Sequence, residues 1–218
     1  MGGHISIRSL SVGPLAVNCY LVFDETIKSA TVIDPGGDGP IILRLAERFG
    51  ARIGLILNTH GHCDHIGANT FLREKTGAQI AIHKLDESLL DNILLNGAQR
   101  MHLSCPAHKP DFVFEDGDIL KGEGFSLKVL HTPGHTKGSC CLFIENTDGG
   151  IPILFSGDTL FAGGIGRSDY YGGDEPAMYK SLKRLLNEIP RETMVYPGHG
   201  PAFNFGEERN RNPFLLSL

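Results

Sequence analysis

Four times along this chain a short apolar run ends at once in a segment that sets histidine or aspartate beside glycine. IGLIL (53–57) leads into THGHCDHIG, FSLKVL (125–130) into HTPGH, IPILF (151–155) into SGD, and TMVY (193–196) into PGH. Short apolar runs bounded by turn residues read as strands. Loops at the carboxyl ends of strands present their side chains along one edge of a sheet. Such a chain is constrained to an α/β arrangement in which four loops can converge on one cleft.

The segments between these runs fill in the class. HISIRSL, VNCYLVF and SATVID read as opening strands, the last ending at Pro35-Gly36-Gly37. Ile41, Ile42, Leu45, Ala46 and Phe49 fall on one face of an expected helix over Pro40–Phe49, which Gly50 stops. A second helix is expected over Gly67–Thr76, followed by the strand QIAI. Leu85, Leu89 and Ile93 give helical spacing to Lys84–Leu95, and 96–111, with Pro106 and Pro110, reads as a long surface loop of the kind that can form a lid. CCLFI reads as a further strand. Asp174 can cap a helix whose stripe is Met178, Leu182, Leu185, Leu186 and Ile189. The expectation is a mixed α/β (α+β) chain folded as one domain over residues 1–218.

Composition narrows the partners. Hydrophobic residues make up 41%, enough for a substantial core, and the net charge of −5 without charge runs argues against nucleic acid or an anionic membrane surface. No apolar stretch reaches membrane-spanning length, and the start MGGHISIRSL lacks the pattern of a secretion signal, so a cytoplasmic location is expected. Cys19, Cys63, Cys105, Cys140 and Cys141 lack CxxC spacing and read as reduced, packed thiols; Cys63, between candidate ligands, is not thereby aimed at a metal. The oligomeric state is open.

The chemistry lies in the four loops. His60, His62, Asp64, His65, His135, Asp158 and His199 supply five imidazoles and two carboxylates, donors suited to zinc, iron or manganese. Seven donors exceed what one tetrahedral ion takes, which points to two divalent ions, zinc foremost, with Asp64 and Asp158 as the catalytic carboxylates. His60 and His62, two apart in an extended segment, project to the same side and can grip one ion, while Asp64 and His65 can reach a second. In HTPGH either histidine could serve on residue type alone, or merely finish the strand.

The combination THGHCDHIG, HTPGH, SGD and PGH resembles the metallo-β-lactamase superfamily, and GDTLFAGGIGRSD with GEERNRNPFL is similar to the short glyoxalase II-like (hydroxyacylglutathione hydrolase-like) branch. The resemblance implies a four-layer αβ/βα sandwich. It also implies a first metal on His60, His62 and His135, a second on Asp64, His65 and His199, and Asp158 bridging them. His131 matches no ligand position, and Asp34 in IDPGG either orients a ligand or makes the turn. Arg167 sits where relatives place a basic residue near a glutathione carboxylate, and Tyr170 and Tyr171 are candidates to line the same cleft.

Two cations lower the pKa of a bridging water until hydroxide forms near neutral pH, so no protein nucleophile is needed. A thiolate, with a thiol pKa near 8.5, leaves without an acid to protonate it. A small thioester such as S-lactoylglutathione, or a related activated ester, is therefore the expected substrate. About twenty residues follow His199, too few for the helical domain that helps full-length glyoxalase II enzymes grip glutathione. A persulfide dioxygenase with one iron on His60, His135 and Asp158, and a catalytically silent metal-binding module, are the competing readings.

Overall fold

The computed structural model describes residues 5–122, 124–145, 147 and 150–218; His4, the first residue of the expected opening strand, lies outside them. Strands β1 (Ile5–Val12), β2 (Val17–Asp24), β3 (Ser29–Ile33), β4 (Arg52–Asn58), β5 (Gln79–His83) and β6 (Phe112–Phe114) form one sheet in sequence order. Its first three strands are antiparallel, and β3 to β6 run parallel. The second sheet uses β7 (Ile119–Gly122), β8 (Phe125–His131), β9 (Cys140–Ile144), β10 (Ile153–Gly157), β13 (Met194–Pro197) and β14 (Phe203–Asn204) in the order β14-β13-β10-β9-β8-β7. β11 (Leu160–Phe161) and β12 (Gly164–Ile165) make a small separate ribbon. Both sheets are mixed, since β10 and β13 pair in parallel while β8 and β9 do not.

Alternation along the strands produces the layers. On β2, Tyr20 and Val22 face the second sheet, whereas Cys19, Leu21 and Phe23 face the outer helices. On β8, β9 and β10, Leu127, Val129, Leu142 and Phe155 fill the space between the sheets, and Leu130, Phe143 and Leu154 point outward. A strand buried on both faces loses the polar alternation of a surface strand, which is why these runs are nearly all apolar.

Helices α1 (Gly39–Arg48), α2 (Cys63–Ile66) and α3 (Asn69–Thr76) cover the first sheet through Ile42, Ala46, Ile66 and Leu72. The short α4 (Ala98–Met101) packs on the same side. Helix α5 (Glu175–Glu188) covers the second sheet with Met178, Leu182 and Leu185, and its start is fixed by Asp174 Oδ1 accepting from Ala177 N at 2.8 Å. Helices α6 (Phe205–Glu208) and α7 (Pro213–Leu216) complete that layer through Phe205 and Leu215. The result is the expected four-layer αβ/βα sandwich.

Two expectations need correction and a third is refined. Ile41 is exposed, so the α1 stripe is narrower than five residues. Lys84–Leu95 is not an α-helix: a 3₁₀ turn covers Lys84–Leu89 and irregular turns follow, leaving Leu85 and Ile93 about half exposed. Segment 96–111 is irregular and largely exposed, as a surface loop should be, apart from helix α4, but it is not loose: Asn96, Ala98, Cys105 and His108 are buried. Asn69 Nδ2 donates to His108 Nε2 at 3.0 Å, and Cys63 N donates to Asn96 O at 2.9 Å, which fastens the segment to the first ligand loop.

The C-terminal stretch has a structural task that its sequence does not announce. Asn212 Nδ2 donates to the carbonyls of Phe161 and Gly164, and Gly163 N donates to the buried carboxylate of Glu208. These bonds hold the β11–β12 ribbon beside the cleft. Among the described residues no helix is long and apolar enough to cross a membrane.

Candidate metal centre

All four ligand-bearing loops lie at carboxyl ends of strands: β4 delivers His60 to His65, β8 His135, β10 Asp158 and β13 His199. Their donor atoms meet. His62 Nδ1 lies 3.1 Å from His60 Nε2 and 2.9 Å from His135 Nε2, although His62 and His135 are 73 positions apart. His199 Nε2 is 3.4 Å from Asp64 Oδ2, and His65 Nε2 is 3.7 Å from the same oxygen. Asp158 stands between the groups: its Oδ2 is 3.5 Å from His135 Nε2 and 3.7 Å from His199 Nε2, while Oδ1 is 3.4 Å from His65 Nε2. Donors around a tetrahedral ion with bonds near 2.1 Å are spaced about 3.4 Å apart, so these separations suit ions seated among them.

On His60, His65 and His135 the ring nitrogen that faces away from the cluster has a partner. Asp34 Oδ2 accepts from His65 Nδ1 at 3.0 Å and from Thr59 Oγ1 at 2.7 Å. Thr59 Oγ1, its proton given to Asp34, accepts from His60 Nδ1 at 3.2 Å. His135 Nδ1 donates to the Arg167 carbonyl at 2.7 Å. Such bonds fix tautomer and ring angle, leaving Nε2 of His60, His65 and His135 as open donors. Two atoms test the fit of a cation directly: His65 Nε2 and Asp158 Oδ1 are fully buried and have no hydrogen-bond partner. Buried polar atoms without partners are rare, and a bound ion accounts for both.

Electrostatics separates the two groups. Burial, then repulsion from neighbouring imidazoles, lowers His60 and pulls His62 down to about 3, so both are neutral lone-pair donors at ordinary pH. Burial acts the same way on His65, but Asp158, Asp34 and Asp64 overcome it and raise that ring to about 10. His199 is raised as well, its burial outweighed by Asp64 and Asp158. Burial would raise Asp64, yet His65 and His199 hold it well below the usual carboxylate range. Without metal, protons on His65 and His199 answer the carboxylates; a divalent cation would displace them.

Close packing fixes one backbone choice. A Cβ at Gly198 would fall 2.2 Å from Asp158 Oδ1 and 2.8 Å from His65 Cε1, so only glycine lets the strand bring His199 to the cluster.

The centre opens into a cleft of about 580 Å³. Leu15, Met101, Phe161 and Ile165 make an apolar wall, and Arg167 and Tyr170 stand at the rim. Arg167 grips Asp169 through two 2.6 Å hydrogen bonds, donates to the Tyr170 hydroxyl at 2.8 Å, and lies 3.7 Å from that ring's centroid. Arg100 approaches Tyr170 as well, at 4.8 Å. Tyr171 departs from expectation: it lines a different depression with Leu85 and Lys137, outside the cleft. His131 also stays out, stacking on His83 at 4.2 Å while its Nε2 donates to Lys137 O at 2.8 Å. Cys63 is buried with its Sγ 3.9 Å from Met101 Sδ, and all five cysteines are free.

Sequence reasoning named the seven side chains that the structure brings together and left Asp34 between orienting a ligand and making the turn; it does both, its carboxylate accepting from His65 and its carbonyl from Gly36 N in a left-handed turn. That reasoning missed Thr59, Arg100 and the apolar wall. Thr59 adjoins the first histidine, the one available signal; the wall residues come from three segments, Leu15, Met101 and the β11–β12 ribbon, that only the fold unites.

Comparison with known proteins agrees with this geometry. Residues 12–199 match the Metallo-beta-lactamase superfamily. The hydroxyacylglutathione hydrolase GloC of Haemophilus influenzae is 36% identical over 98% of this chain and 99% of its own length. The structure of TTHA1623 in a di-iron-bound form superposes with a TM-score of 0.83 at 39% identity, covering 95% of this chain and 100% of that one. The BLEG-1 B3 metallo-beta-lactamase superposes with a TM-score of 0.88 at 33% identity, over 96% and 99% of the two chains. With its fold, its loops and its sequence in agreement, the chain belongs to the metallo-beta-lactamase superfamily.

Proposed function

We propose that the protein hydrolyses a small thioester of the S-lactoylglutathione type, or a related activated ester, at a two-metal centre. The observation that carries this reading is the gathering of seven donors at one cleft in overlapping groups, His60-His62-His135, His60-His65-Asp158 and Asp64-His65-His199, with Asp158 near both His135 and His199. His60, His62 and His135 would hold one ion, Asp64, His65 and His199 the other, and Asp158 both. Bound there, two divalent ions supply a water of lowered pKa and positive charge for the oxygen of the attacked acyl group. Zinc suits this imidazole and carboxylate set, as do iron and manganese.

The chain's own residues do the rest. Asp34 and the Arg167 carbonyl hold the imidazoles in one tautomer. The apolar wall of Leu15, Met101, Phe161 and Ile165 suits the acyl and thiol portions of the substrate and excludes water from them. Arg100 and Arg167 flank Tyr170 against one carboxylate, Asp169, which leaves the rim positive toward an anionic conjugate. Asp64 stays ionised and cannot serve as an acid. That is no obstacle for a thiolate leaving group and is a serious one for an amine. Similarity to GloC supports the same substrate class, and five buried free cysteines suit a reducing compartment such as the cytoplasm.

The single-iron persulfide dioxygenase on His60, His135 and Asp158 shares the same seven donors, so metal content and substrate, not the ligand set, separate it from the two-ion hydrolase. The test is metal analysis beside a thioester assay. Two ions per chain and hydrolysis of S-lactoylglutathione are expected, with activity reduced about a hundredfold or more in His62→Ala and Asp158→Ala. Full turnover by metal-free protein would contradict the proposal. One iron per chain with oxygen uptake on glutathione persulfide would replace it, and a fully loaded protein inert toward esters and thioesters would mark a silent module.

A further inference from the structure

One buried carboxylate outside the ligand set ties together the two loops that supply the three-histidine group. Asp86 lies in the 3₁₀ turn Lys84–Leu89 and is 1% exposed. Its Oδ2 accepts from the backbone N–H of Gly61 at 3.0 Å and from the Thr136 hydroxyl at 2.6 Å. Its Oδ1 accepts from the backbone N–H of Gly138 at 2.7 Å. Gly61 lies between His60 and His62, and Thr136 directly follows His135. Contact is close on the second loop, where a Cβ at Gly138 would come within 2.7 Å of Asp86 Cγ.

The residue type matters. Three donors arrive from two loops and occupy both oxygens, so the site needs acceptors on each; an asparagine would turn an NH₂ group toward at least one N–H or O–H. Burying a carboxylate is costly, and burial does push Asp86 upward, while Thr136, Gly138 and Gly61 pull it back. Asp86 is absent from the cleft lining, and Asp34, not Asp86, orients His65.

We propose that Asp86 is a positioning residue that sets the spacing between the His60-Gly61-His62 turn and the His135 loop, and so the grip of the three-histidine metal position. The inference rests on the reading above that these histidines hold an ion. It explains how His62 and His135, from different sheets, come within 2.9 Å. Loss of Asp86 should therefore weaken one ion selectively, because His65 is held by Asp34 and Asn58 and the backbone on either side of His199 by Asn18.

The test titrates metal-free full-length protein with Zn²⁺, and separately with Co²⁺ followed by its visible spectrum, in wild type, Asp86→Asn and Thr136→Val. In Asp86→Asn the ion at the three-histidine position should bind about tenfold or more weakly, with an altered Co²⁺ spectrum, while the other ion changes less. Thr136→Val, which removes one of the three bonds, should show a smaller change of the same sign. Unchanged binding of both ions, or equal weakening of both, would overturn the proposal, the second outcome marking a general stabilising role. Should Asp86→Asn fail to fold, Thr136→Val decides alone. A wild-type protein that takes up no ion at this position would instead refute the functional reading, and this inference with it.

Discussion

Asp34 shows how much one side chain can organise. Its left-handed backbone (φ 51°) turns it from the end of β3 toward the ligand loop, where it reaches His65 directly and His60 through Thr59. Asp34→Ala should therefore weaken metal binding about 10- to 100-fold, most at the ion held by His65, as read by competition with a chelator of known affinity; wild-type affinity would refute the relay. At the rim, Arg167→Met should raise KM for an anionic thioester about three- to tenfold with little change in kcat, because an exposed ion contact contributes about 1 kcal/mol. Tyr171→Ala, outside the cleft, should leave both constants unchanged. The clustering of the seven side chains was legible because each of their four segments directly follows an apolar run, so sequence position already implied shared placement. The Asp34–Thr59 contact was only half legible, since its members are 25 positions apart and nothing local pairs them. Asp86 was hidden altogether. Leu85, Leu89 and Ile93 suggested a helix with Asp86 at its side, whereas three donors from two loops draw Asp86 inward on a tighter turn.

Elements follow their local chemistry wherever burial and propensity agree. Asp174 caps α5 as its sequence suggests, and Asp174→Ala should cost about 1 kcal/mol, measurable by urea unfolding at unchanged metal content. Phe155, fully buried between the sheets, should cost about 3–5 kcal/mol when cut to alanine, and a loss under 1 kcal/mol would mean the layers repack. A pH effect belongs to the ends of β5 and β8, where His83 stacks on His131. Burial first, then His131, lowers His83 to about 4, against nearby Glu115 and Asp116, which raise it. A depressed folded value means that the unfolded chain takes up the proton first. The stability from neutral His83 is thus complete above about pH 6.5 and is lost as pH falls toward 4. His83→Asn, which can keep the acceptor for Leu85 N, should flatten that acid limb; an unaltered slope would exclude His83 as its source. Strand positions were readable because two-sided burial writes continuous apolar runs. The β11–β12 ribbon and the C-terminal helices were not, since they are two to four residues long and held by Glu208 and Asn212 rather than by periodicity.

Across the whole molecule, two mixed sheets placed face to face bring the carboxyl ends of β4, β8, β10 and β13 to one edge, and the cluster spans both sheets. An ion shared by loops from both sheets would tie the halves together and stabilise the folded chain by mass action, about 4 kcal/mol at a thousandfold excess over Kd. Stripping metal should therefore lower the melting temperature of the chain as a unit, and restoring Zn²⁺ should raise it again. The most direct test of the central claim is an anomalous difference map, collected at the absorption edge of the metal found in crystals of protein purified without chelator. Two peaks about 3.5–4 Å apart are expected, one among His60, His62 and His135 and one among Asp64, His65 and His199, with Asp158 touching both. A map with no peak among these seven side chains, or with a single peak and the second group left open under excess metal, would contradict it.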